Sequence, residues 1–261
     1  MSGVSGAAVQ SVIEHPVPTT RIRHYTYAQA AAAGNILLCL PLELRQEIYL
    51  HAIRLHQQCK CHKDHGKMIW AADIRAERPC NWLPPICCVS DDMFHEALPV
   101  ALMEANLVVD KPYTAYNLAF FLAATETHSR IRSLTFGTPA SLGPSFAGSQ
   151  LLTSCFNLRH VTLIFAQSDF VFEEMNRWGG SGRLDKKAFT ENHAFRQLLA
   201  LRHIQRVDLR CPFFSVRGVS EGAYSTFFGI APWLKKKFSR RGLKVQIVCS
   251  NALGWSTTCR R

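Results

Sequence analysis

Gln150-Leu151-Leu152-Thr153-Ser154-Cys155-Phe156-Asn157-Leu158-Arg159-His160-Val161-Thr162-Leu163-Ile164-Phe165 is the stretch that decides the fold. Its first half reads as a short helix. Its second half alternates apolar and polar residues, with Val161, Leu163 and Phe165 on one side, which marks a strand with one buried face. The same succession occurs on either side of it. Tyr116 to Thr125 leads into Ile131-Arg132-Ser133-Leu134-Thr135-Phe136. Ala194 to Leu201 leads into Ile204-Gln205-Arg206-Val207-Asp208-Leu209-Arg210, and Pro232 to Arg240 leads into Leu243-Lys244-Val245-Gln246-Ile247-Val248-Cys249. A helix before every strand requires crossover connections, so neighbouring strands run parallel and the crossovers are right-handed. The expected class is α/β, with a small, mostly parallel sheet built over residues 111–261. The units are unevenly spaced, and the linkers at 137–150, 166–190 and 211–230 are long, so the repeat is a degenerate one.

Towards the N-terminus the pattern changes. Residues 1–35 mix small residues with Pro16 and Pro18 and show no period, so they read as weakly ordered. Pro41 suits a helix entry, and Glu43 just inside complements the helix dipole. Leu44, Ile48, Ala52 and Leu55 then recur at helical spacing, widened by Tyr49 and Ile53, which predicts an amphipathic helix. Residues 57–85 lose the period and read as an inserted loop. A second helical region follows over 86–105, with Ile86, Val89, Met93, Ala97 and Val100 or Ala101 on one face and Pro99 expected to kink or divide it. Leu107-Val108-Val109 closes the region as a short strand.

The run Leu37-Leu38-Cys39-Leu40-Pro41-Leu42-Glu43-Leu44-Arg45-Gln46-Glu47-Ile48-Tyr49 resembles the opening of F-box-like domains of filamentous fungi, where a Leu-Pro-x-Glu-Leu-Arg-x-x-Ile-Tyr signature starts the first helix. Ile86-Cys87-Cys88-Val89 through Glu96-Ala97-Leu98-Pro99 is similar to that family's second block, and Phe120-Phe121-Leu122 with Ile131-Arg132-Ser133-Leu134 to its third. Where the second block usually carries Cys-Arg-Gln, this chain has Ser90-Asp91-Asp92, with the charge reversed. The unit Leu152, Cys155, Leu158-Arg159-His160-Val161-Thr162-Leu163 is similar to a leucine-rich repeat. The resemblance implies an F-box-like helical region over 36–110, with the insertion at 57–85, ahead of leucine-rich-repeat-like units. In F-box proteins the first helix and its Leu-Pro entry dock a Skp-family adaptor of a cullin-based ubiquitin ligase, and the repeats hold a substrate. The resemblance therefore places Leu40, Pro41, Leu44, Ile48 and Tyr49 at an adaptor surface. Periodicity alone leaves a second reading open, in which Leu44 and Ile48 face the protein's own core.

With 261 residues, 48% of them hydrophobic and 19% charged, the chain can close a core without staples. The N-terminus has no basic start and no continuous apolar run, and no stretch is long enough to span a bilayer, so the reading is an intracellular protein, cytoplasmic or nuclear. In such a compartment the ten cysteines read as core residues or surface thiols rather than a disulfide framework.

Signatures of catalysis are missing from the sequence: there is no phosphate-binding loop, no Gly-x-Ser-x-Gly elbow and no His-Glu-x-x-His pair. Cys59, Cys61, His62 and His65 are metal-binding residue types, but they are crowded together without a second pair at zinc-site spacing, so they read as a polar loop and no metal or cofactor is assigned. The net charge of +11 is mostly scattered. Its densest cluster is Lys235, Lys236, Lys237, Arg240 and Arg241, in a segment that opens with Pro232 and ends at Gly242. That cluster supports an alternative to the protein-binding reading, a basic protein associated with nucleic acid.

Overall fold

The computed structural model describes residues 36–58, 68–71, 83–137, 147–165, 195–211 and 221–250. Six strands run through them: β1 (Met68–Trp70), β2 (Asn106–Val109), β3 (Ser133–Phe136), β4 (His160–Ile164), β5 (Arg206–Arg210) and β6 (Gln246–Ser250). They form one sheet in which every neighbouring pair is parallel and the spatial order equals the chain order. The helices are α1 (Leu42–Gln58), α2 (Asp91–Glu104), α3 (Pro112–Ala124), α4 (Ala147–Ser154), α5 (Phe195–Ala200) and α6 (Glu221–Ser239). α3 packs beside α4 and α4 beside α5, so successive units stack as they succeed one another in the chain.

The alternation in the sequence sets which face is covered. Leu107, Leu134, Val161 and Val207 align across the strands, and Val109, Phe136, Leu163 and Leu209 form the next row. Both rows are fully buried and join Leu118, Leu122, Leu151, Leu152, Phe195, Leu198, Phe227 and Phe238 from the helices in one core. Burial of a side chain of this kind contributes about 1.5–3 kcal/mol.

Several elements differ from the sequence expectation. β1 lies inside the stretch read as an inserted loop and pairs with β2. The sheet also runs without a break across the boundary expected at residues 110 and 111, because β2 pairs with β3. The second helical region begins as a single 3-10 turn, Pro85–Cys88, and α2 starts only at Asp91. Ser90 caps it by accepting the Met93 N–H (3.3 Å), with Asp91 and Asp92 in the first turn, where carboxylates suit the dipole. The Ser90-Asp91-Asp92 run therefore builds a helix start. α2 continues through Pro99, and α6 begins at Glu221 and continues through Pro232, which the sequence placed at a helix start. Phe227 and Phe228 thus belong to α6 and not to a linker.

The end of α6 fits its residues closely. Gly242 has φ of +74°, the left-handed conformation that glycine adopts without strain. The Leu243 N–H donates to Phe238 O (3.1 Å) and the Gly242 N–H to Ser239 O (3.0 Å), which is the Schellman closure.

Candidate functional site

α1 has apolar residues on two sides, and the structure separates them. Tyr49 and Ile53 are fully buried against the rest of the fold. Leu44, Ile48 and Leu55 point outward, 53%, 40% and 62% exposed. At 1.5 Å per residue they mark out an apolar stripe about 16 Å long. The alternative reading, in which Leu44 and Ile48 face the protein's own core, is therefore overturned. Pro41 is exposed at the head of the same helix and Leu40 is half-buried.

Tyr49 is corrected in the opposite sense. Its ring is enclosed, and its hydroxyl donates to Glu96 Oε2 at 2.9 Å, so it is unavailable to a partner. The same carboxylate receives both arms of Arg45: Nε to Oε2 at 2.7 Å and NH2 to Oε1 at 2.6 Å. Arg45 NH1 also donates to the carbonyls of Leu38 (3.1 Å) and Leu40. One buried guanidinium thus ties the Leu-Pro entry, α1 and α2 together, in the bidentate geometry that only arginine provides. The hydrogen bond to Glu96 raises the Arg45 pKa further, against the effect of burial. Burial, then the Glu96 hydrogen bond, pushes the Tyr49 phenol well above its ordinary value. Arg54 and Glu104 add a second, more exposed bridge between the helices at 3.1 Å. The exposed stripe therefore stands on a fixed helix.

A second apolar surface went unnoticed in the sequence. Tyr113, Tyr116 and Phe120 on α3 are 58%, 67% and 65% exposed, while Ala115, Leu118 and Leu122 fill the inner side of the same helix. Their i, i+3, i+7 spacing was the available signal. Lys111 lies 5.7 Å from the Tyr113 ring centre, within cation–π range.

The other face of the sheet carries polar groups in register. Asn106 Oδ1 accepts from Ser133 Oγ (2.9 Å) and Thr135 Oγ1 (3.1 Å). Asp208, nearly enclosed, is held by Arg206 Nε at 2.7 Å, His160 Nε2 at 3.1 Å and Arg210 NH2 at 3.6 Å. Burial acts to raise its pKa, but the hydrogen bonds from His160 and Arg206 outweigh it and bring the carboxyl down to about 2. The sequence alternation led one to expect an open polar face, yet Thr135, Thr162 and Asp208 are buried. They can be, because each has a polar partner on the same face of the sheet.

This row is not a hydrolytic triad. Thr162 Oγ1 approaches His160 Nε2 at 3.4 Å, and Asp208 meets that same nitrogen, whereas general-base activation needs the carboxylate and the hydroxyl on opposite ring nitrogens. Among the described residues, the cleft lined by Ser149, Gln150, Thr153, Ser154 and Gln197 has no ionisable side chain to serve as general acid or base. Among the described residues, no group of three or more His, Cys, Asp or Glu could hold a metal ion. Cys59, Cys61, His62 and His65 lie outside the described residues. Lys235, Lys236, Lys237, Arg240 and Arg241 are all exposed on the last turns of α6 and beyond, while Leu234 and Phe238 between them are buried. Among the described residues, no helix is long and apolar enough to cross a membrane. Comparison with protein-family models, with curated proteins and with solved structures yields no match.

Proposed function

We propose that this chain is a non-catalytic protein-interaction module, an F-box-like adaptor or scaffold whose first helix receives a Skp-family adaptor and whose leucine-rich-repeat-like units hold a second protein. The observation that carries the reading is the exposure of Leu44, Ile48 and Leu55 on a helix locked in place through Arg45 and Glu96. A stripe of large apolar side chains left in water is costly to a monomer and favourable to a complex. The signature residues divide their work accordingly: Leu40, Pro41, Leu44 and Ile48 form the docking side, and Arg45 and Tyr49 hold the helix that presents it. The aromatic stripe of α3 offers a separate surface for the second partner, rich in the residue types that anchor interfaces.

The test is co-purification with a Skp-family adaptor, comparing wild type with the Leu44→Asp, Ile48→Asp double variant. Both positions are exposed, so circular dichroism should show the same fold in each. Retention by wild type and loss from the variant is the expected result. Equal retention, or none by either, would remove the adaptor reading.

A further inference from the structure

We propose that the edge of the sheet at which the strands begin is a binding strip for single-stranded nucleic acid, with Arg132 and Arg159 at its centre. The proposal is independent of the protein-docking reading, since it uses none of the α1 or α3 surface. The strip is a consequence of the topology. Each helix from α3 to α6 returns to the sheet by a short turn, and in an all-parallel sheet of sequential order these turns stack at the strand spacing of about 4.8 Å. Backbone bonds fix the stack. The Arg159 and His160 N–H groups both donate to Arg132 O (2.9 and 3.0 Å), the Gln205 and Arg206 N–H groups to Arg159 O (2.8 and 2.9 Å), and the Gln246 N–H to Gln205 O (2.8 Å). Side chains continue it. Asn157 Nδ2 donates to Ser129 O at 2.9 Å, and Arg241 NH2 donates to Ala200 O at 3.4 Å.

Every one of the four turns carries exposed positive charge. Arg130 and Arg132 precede β3, Arg159 precedes β4, Arg202 precedes β5, and Arg240, Arg241 and Lys244 precede β6. Glu126 is the only carboxylate in these turns, and none of the seven cations pairs with a carboxylate among the described residues. Helix dipoles explain part of this, since cations suit helix C-termini, but the effect fades beyond the last turn. It accounts for Arg240 and Arg241 at the close of α6 and not for Arg132, Arg159 or Lys244 at the strand entries. The last turns of α6 extend the strip through Lys235, Lys236 and Lys237.

Phe156 decides which polyanion fits. It is 56% exposed, in the turn between α4 and β4 that ends at Arg159. An aromatic ring left in water among unpaired arginines is the arrangement that stacks an unpaired base while the cations follow the backbone. A duplex keeps its bases stacked within it and could use only the charge.

The experiment is fluorescence anisotropy of an end-labelled oligouridine titrated with the full chain, alongside heparin and vesicles of anionic phospholipid. Wild type should bind oligouridine with an affinity that falls steeply between about 50 and about 200 mM salt. The Arg132→Glu, Arg159→Glu variant should bind at least about tenfold more weakly and show a shallower salt slope. Phe156→Ala should weaken oligouridine about tenfold and leave heparin unchanged. Thermal melts report folding, and an Arg132→Gln, Arg159→Gln pair replaces the charge reversal if that variant melts early. Unchanged oligouridine affinity in a normally melting Arg132/Arg159 variant overturns the proposal. So does binding to heparin or vesicles that equals binding to oligouridine and is indifferent to Phe156.

Discussion

Arg45 joins the Leu-Pro entry, α1 and α2 through one side chain. Its guanidinium and the Glu96 carboxylate are both almost enclosed, with side chains 10% and 7% exposed. Such a pair adds little over a well-packed apolar replacement, but removing one member strands a buried charge. Glu96→Gln should therefore cost about 3–5 kcal/mol, seen as a markedly lower denaturation midpoint, whereas Tyr49→Phe should cost about 1 kcal/mol. A Glu96→Gln protein as stable as wild type would show that the bridge is not what fixes α1. Asp208 adds a pH dependence. Its folded pKa of about 2 lies below the ordinary 3.8, so its contribution is complete above pH 4 and is lost as pH falls towards 2. That contribution is about 2 kcal/mol. Acid titration of Asp208→Asn should show a flatter loss of stability over that window than wild type. The sequence displayed Arg45, Tyr49 and Asp208 plainly. It could not show that Arg45 meets a carboxylate from another helix, or that the polar side of β5 is covered, because both depend on contacts distant along the chain.

At the scale of elements, the legible parts were those with a local cause. The entry to α1 at Pro41 and the end of α6 at Gly242 follow from backbone constraints of single residues, and the sequence located both. Gly242→Ala should cost about 1 kcal/mol, entirely conformational, since nothing lies within 4 Å of the added methyl position. A larger loss, measured by urea denaturation, would point to a packing role that the open space there excludes. β1 was hidden because three residues are too few to show alternation, and its pairing with β2 is what makes it a strand. Pro99, expected to kink or divide its helix, leaves α2 undivided, and Pro232, expected to open a helix, lies inside α6, because a proline in a helix interior costs one hydrogen bond that the rest of the helix can outweigh. α1 shows a different limit. Period identified the helix correctly, but with apolar residues on two sides it could not say which one faces the core. The buried side is that of Tyr49 and Ile53, so of the residues the resemblance places at an adaptor surface Leu44 and Ile48 are left to solvent and Tyr49 is not.

Among the described residues, the molecule is a stack in which each strand pairs only with its sequence neighbours. Repeated succession of helix and strand was enough to read the class and the parallel direction. The surfaces were not legible in the same way, since exposure is a property of the assembled stack. Three of them emerge on different parts of it: the apolar stripe of α1, the aromatic stripe of α3 and the cationic strand-entry edge. They stand on separate elements, so a substitution on one can be tested without disturbing the others.

The central claim is that the α1 stripe is a docking surface on a fixed helix, and isothermal titration calorimetry with a Skp-family adaptor tests it most directly. The account predicts binding by wild type with a negative heat-capacity change, as burial of apolar surface requires. It also predicts loss of that heat in the Leu44→Asp, Ile48→Asp variant at an unchanged melting temperature. No heat from well-folded wild type, or the same heat from both proteins, would contradict it.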